Sequence, residues 1–140
     1  MKYLLLIILV FSVAAAHAEK WYEGSWVVSD AKFPGISTVG MEDITPLIGT
    51  SGVISSSTVT LRESLCTNPV FRESTIDKKD FEFSYRATFK ELGFSRGPVS
   101  AITISCNNKV EYIYSHLIQN NNVTYGVWKG AFVLLVESKP

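Results

Sequence analysis

The chain is short of histidine, cysteine, net charge and long apolar runs, and each shortage excludes something. Two histidines, His17 and His116, and two cysteines, Cys66 and Cys106, occur in 140 residues. A tetrahedral zinc centre draws three or four ligands mainly from those residue types, so the supply points to no metal and to no other cofactor. Lysine and arginine together number 13, matched by 13 aspartates and glutamates. That balance gives no electrostatic reason to bind nucleic acid or an anionic membrane. The one sustained apolar run, residues 4–13, is too short for a membrane anchor. The glycines at 35, 40, 49 and 52 lack the spacing of a phosphate loop.

What the N-terminus does hold is an export signal. Lys2 supplies the positive start, the apolar run follows, and Ala16-His17-Ala18 places small residues where a signal peptidase reads them. Cleavage is expected after Ala18, leaving residues 19–140 as a single domain of about 122 residues, large enough for one core. Loss of Lys2 leaves 12 basic against 13 acidic residues. The short, simple signal looks bacterial, which makes the periplasm the expected destination. In an oxidising compartment Cys66 and Cys106 are expected to form a disulfide. Its loop of roughly 40 residues is worth about 4 kcal/mol in the chain-entropy model.

The C-terminal third sets the fold class. Residues 99–106, 110–117, 123–128 and 131–136 are rich in β-branched and aromatic types and are separated by Asn or Gly clusters. They predict four strands in two hairpins. A two-residue turn at Lys129-Gly130 sets Val127 opposite Phe132, Tyr125 opposite Leu134 and Val123 opposite Val136, all on one face. A three-residue turn at Asn107-Asn108-Lys109 would align Cys106, Ile104 and Ile102 with Val110, Tyr112 and Tyr114. The other face of the last hairpin, with Trp128, Ala131, Val133 and Leu135, is apolar too. Something must cover it or bind it.

Upstream, residues 19–23 read as an exposed lead-in carrying Trp21 and Tyr22, and residues 24–29 as a first strand. Residues 30–49 form a connection with a Pro34-Gly35 turn and a short helix near Pro46. That helix, with Met41, Ile44, Leu47 and Ile48 facing inward, plugs one mouth of the sheet. Residues 52–55 and 58–61 predict a hairpin, 62–68 a loop and 70–76 a strand. Residues 80–87 predict another strand, because Phe81, Phe83, Tyr85, Ala87 and Phe89 alternate with polar residues. Thr88-Phe89-Lys90-Glu91 is a capping box, stopped at Gly93. About eight short strands with few helical turns predict an all-β, antiparallel up-and-down barrel, since closure hides apolar edges; a sandwich is the alternative.

Gly24-Ser25-Trp26 resembles the opening of lipocalins and the wider calycins, small eight-stranded barrels whose first strand begins Gly-x-Trp. The resemblance implies that Trp26 closes one end of the core. Such barrels commonly stack an Arg of the last strand on that Trp, and this chain carries Glu137-Ser138-Lys139 there. Gly24-x-Trp26, Pro34-Gly35-Ile36-Ser37, Leu47-Ile48-Gly49, Cys66-Thr67-Asn68-Pro69 and Val127-Trp128-x-Gly130-x-Phe132 are together similar to a group of small exported bacterial proteins. That likeness implies a small periplasmic barrel and no activity.

For chemistry, the mature chain offers only His116, near a strand end, which reads as a structural residue rather than a catalytic one. Glu42-Asp43 read as the solvated first turn of a helix, and the acids between 62 and 91 belong to a mixed-charge surface. The reading is therefore an exported, non-enzymatic binding protein, such as an inhibitor or immunity protein docking to a protein partner. Trp21, Tyr22, Trp128, Val133 and Leu135 are its candidate surface. The alternative is a carrier of a small apolar ligand inside the barrel. Neither reading specifies an oligomeric state.

Overall fold

A computed structural model describes residues 19–107 and 113–139; the export signal and the Asn108-Lys109 part of the expected turn lie outside the described residues. Nine strands form one antiparallel sheet: β1 (Gly24–Lys32), β2 (Ser51–Ile54), β3 (Thr58–Leu61), β4 (Ser64–Thr67), β5 (Val70–Ile76), β6 (Val99–Ser105), β7 (His116–Asn120), β8 (Val123–Trp128) and β9 (Ala131–Glu137). Their spatial order is β4-β3-β2-β1-β9-β8-β7-β6-β5. Every neighbour but the β1–β9 pair is also a neighbour in sequence, so the chain meanders and its first and last strands meet. The sheet curls into a half-barrel of the expected all-β class.

The two edge strands, β4 and β5, are consecutive in the chain, joined only by Asn68-Pro69. Following the antiparallel pairs round the sheet gives β4 and β5 the same direction. They behave as one strand, bent where Asn68 takes φ 50° and Pro69 removes a donor. Its first half bonds to β3 and its second half to β6. Beside the bend the expected disulfide joins Cys66 of β4 to Cys106, just past β6, with Cα atoms 5.8 Å apart.

The last hairpin has the expected register, with Val127 opposite Phe132 and Tyr125 opposite Leu134. Lys129 (φ 51°) and Gly130 (φ 87°) are both left-handed, as are Asn121 and Asn122 between β7 and β8; this is the two-residue turn whose twist suits a hairpin. The β6–β7 pairing departs from expectation. Ile102 lies opposite Leu117, not Tyr114, because a 3-10 turn over Ile113–Ser115 takes Tyr114 out of the ladder. The described part of the 110–117 span is thus this turn and the start of β7.

Three other spans change class or exposure. Residues 62–68 are a tight turn at Arg62-Glu63 followed by β4, not a loop. Residues 80–87 are not a strand: α2 spans Lys78–Tyr85, with Asp77 accepting from Asp80 N–H at 2.9 Å as N-cap and Arg86 left-handed at its end. Phe81 and Tyr85, four apart, stack inward at 4.5 Å between ring centroids; Phe83 points out, 71% exposed. In the connection, α1 (Met41–Ile44) leads into a 3-10 turn over Thr45–Leu47. Ile44 is buried, but Met41 and Ile48 are exposed, so the plug is narrower than expected. The expected capping box is present in α3 (Phe89–Leu92) between Thr88 and Glu91, with Gly93 at φ 70°.

Two cores explain why both faces of the C-terminal strands are apolar. The inner one gathers Trp26, Val28, Ile44, Ile54, Val59, Ile102, Tyr114, Leu117, Val133 and Leu135. The outer one lies under α2 and α3 and joins Phe81, Phe89, Leu92 and Phe94 to Val99, Ala101, Ile118, Tyr125 and Phe132. Tyr125 Oη donates to Leu92 O at 2.8 Å, fastening α3 to the sheet. A strand covered on both sides reads as a continuous apolar run.

Candidate functional site

Tyr114 crosses the inner core from the 3-10 turn, its hydroxyl donating to Trp26 O at 3.3 Å, and its ring lies so close to Gly52 that a Cβ there would meet Cε2 at 2.4 Å. Burial pushes the Tyr114 pKa up to about 12. Trp26 belongs to this core, and its Nε1 donates to Tyr22 O at 2.9 Å.

The five candidate surface residues are not brought together. Val133 and Leu135 are 0% and 3% exposed and belong to the inner core, because the face they share is the concave one. Tyr22 is likewise buried, its ring stacked on Phe71 at 5.2 Å, and a Lys20–Glu73 ion pair of 3.2 Å helps to hold the lead-in against β5. Trp21 packs edge-on against Tyr22 at 5.4 Å and is half-buried. Trp128 sits at the opposite end of the sheet, at the close of β8. It lines a surface cleft of about 540 Å³ with Leu47, Leu61, Ile113 and the turn Arg62-Glu63-Ser64. Its indole Nε1 is buried with no hydrogen-bond partner among the described residues, and Lys129 Nζ lies 5.5 Å from the ring centroid.

Ile36 and Phe83, which the sequence reading did not place on the candidate surface, are far more exposed. Ile36 is 95% exposed at the tip of the segment after β1, although Thr38 N–H donates to Lys129 O at 3.0 Å and Ser37 Oγ donates to the same oxygen at 3.1 Å. That packing is tight: a Cβ on Gly130 would meet Ile36 O at 2.2 Å. Ile36 shares a cleft of about 500 Å³ with Tyr85 and Arg86, and the Arg86 guanidinium lies 5.1 Å from the centroid of the exposed Phe83 ring. The signal in the sequence was a large aliphatic residue placed in a Pro-Gly turn, where solvent exposure is the rule.

His116 bridges helix and sheet. Its Nε2 hydrogen-bonds Tyr85 Oη at 2.5 Å and its Nδ1 meets Thr103 Oγ1 at 3.2 Å. Burial lowers the His116 pKa and raises that of Tyr85. The chain does contain one Gly-x-Ser-x-Gly run that the sequence reading also overlooked, Gly93-Phe94-Ser95-Arg96-Gly97. In nucleophile elbows this run turns a strand into a helix; here it leads from the end of α3 towards β6. Ser95 N–H donates to Asn120 Oδ1 and Ser95 Oγ accepts from Asn121 Nδ2, while both nitrogens of His116 are engaged elsewhere. Among the described residues, no helix is long and apolar enough to cross a membrane.

Comparison with protein-family models, with curated proteins and with solved structures found no match to this chain.

Proposed function

We propose that this is an exported, periplasmic binding protein that docks to a protein partner, as an inhibitor or immunity protein does, and carries out no chemistry of its own. The observation that supports this most is the exposure of Ile36 and Phe83, the first sharing a cleft with Arg86 and the second lying beside the Arg86 guanidinium. Two large apolar side chains, 95% and 71% exposed, are held out by anchored backbone rather than by loose chain. Side chains displayed in this way lose little freedom on binding and suit the centre of a protein interface. The alternative, a carrier of a small apolar ligand, would use the cleft of about 540 Å³ that Leu61 and Ile113 of the inner core line together with Leu47 and Trp128.

The test is affinity capture from periplasmic extract with the wild-type protein and with Ile36→Asp/Phe83→Ser. Both residues are exposed, so the variant keeps its fold. A partner retained by the wild type, rebound when purified, and lost from the variant supports the reading. A partner retained equally by both removes these two residues from it.

A further inference from the structure

We propose that His116 is a pH-sensitive latch on the C-terminal end of α2, and that its protonation frees the segment displaying Phe83 and Arg86. The consequence for a partner rests on the docking reading, because that segment belongs to the proposed surface; the latch itself does not. His116 opens β7 opposite Thr103, which in turn lies opposite Arg72 of β5. Directly opposed residues share a face, here the outer one, to which Ala101 and Ile118 also belong. The half-buried imidazole stacks on the Tyr85 ring, with 5.7 Å between centroids and 15° between planes. Its Nε2 meets Tyr85 Oη, and its Nδ1 meets Thr103 Oγ1. Tyr85 is the last residue of α2 and lines the cleft that holds Ile36 and Arg86.

A neutral imidazole has one donor and one acceptor, so one of the two hydroxyls donates to it. Once protonated, both ring nitrogens donate, and that hydroxyl must turn its proton away. The new charge gains no counter-ion in exchange. Arg86 follows Tyr85 on the helix side and Arg72 stands across the ladder, and both are cations. Glu82 of α2 is engaged with Phe89 N–H and Lys78 Nζ. β6, β8 and the 3-10 turn over Ile113–Ser115 carry no charged residue, and the phenols of Tyr114 and Tyr125 donate to Trp26 O and Leu92 O. A half-buried cation placed in this way favours an opened helix end, where water reaches it. Burial accordingly holds the His116 pKa below the ordinary 6.5. The neutral form therefore keeps the latch closed, and a fall in pH through the folded value opens it.

No partner enters the test, so the latch and the docking reading can fail separately. The ¹⁵N-labelled protein is followed from about pH 7.5 to about pH 4.5 through the imidazole signals of His116, which His116→Gln identifies, and through amide exchange of residues 82–85. His116 should titrate below 6.5. Protection of those amides should start below that of β8 and fall about tenfold across the same midpoint. His116→Gln should hold it constant, and Tyr85→Phe, which keeps the ring and removes the hydroxyl, should weaken its pH dependence. The latch is overturned if His116 titrates at or above 6.5, if protection does not change across its midpoint, or if either variant keeps the wild-type profile. Protection in α2 equal to that in β8 would make the opening global and would overturn it as well.

Discussion

Gly126 lacks a side chain because Ile113 occupies the space one would need: a Cβ there would meet Ile113 O at 2.4 Å. Gly126→Ala must push the 3-10 turn outward, and is expected to cost about 1–3 kcal/mol in urea unfolding. Tyr114, on that turn, was legible as an inward aromatic, but not as the residue that spans the core. Alternation within the 110–117 span predicts a ladder position, and only the close approach to Gly52 and Gly126 shows that the chain leaves the sheet. Tyr114→Phe should cost about 1 kcal/mol for its lost hydrogen bond, and Tyr114→Ala about 3–5 kcal/mol for the cavity. His116 gives a pH dependence whose sign is fixed. Burial lowers its folded pKa below the ordinary 6.5, so the unfolded chain takes up the proton first. The stability it contributes is complete above pH 6.5 and is lost as pH falls through the folded value. Unfolding curves from pH 7.5 downward should show that loss, and His116→Gln should show less of it.

The elements most plainly written in the sequence were those marked by turn chemistry. Lys129-Gly130 fixed the last hairpin and Thr88–Glu91 with Gly93 fixed α3, each through a backbone conformation that few other residues supply. The stretch from 77 to 85 was misread because two periods fit it. Phe81, Phe83 and Tyr85 alternate as a strand does, yet Phe81 and Tyr85 also fall four apart, and Asp77 is an N-cap. The cap and the outer face of β6 to β9, which α2 helps to cover, decide for the helix; Phe83 is left outside and becomes part of the proposed docking surface. Phe81→Ala should lower stability by about 3–5 kcal/mol, whereas Phe83→Ala should leave it within about 0.5 kcal/mol. Equal losses at the two positions would mean that both face a core, as the strand reading required.

At the scale of the whole molecule, the composition announced an all-β meander and the two cysteines announced their bond. The bent β4–β5 strand was not legible, since local pattern says nothing about which edges meet. The disulfide lies beside that bend. Replacing both cysteines with alanine is expected to cost about 2–5 kcal/mol, read as a lower urea midpoint. The exposed side chains of Ile36 and Phe83 make the proposed partner a matter of one outer surface. The most direct measurement places a photo-cross-linking amino acid at position 36, and for comparison at position 53, where Val53 is 44% exposed on β2, and irradiates each protein in its native compartment. The account predicts a discrete protein adduct from position 36 that position 53 does not give. No adduct at 36, or the same adducts at both positions, would contradict it.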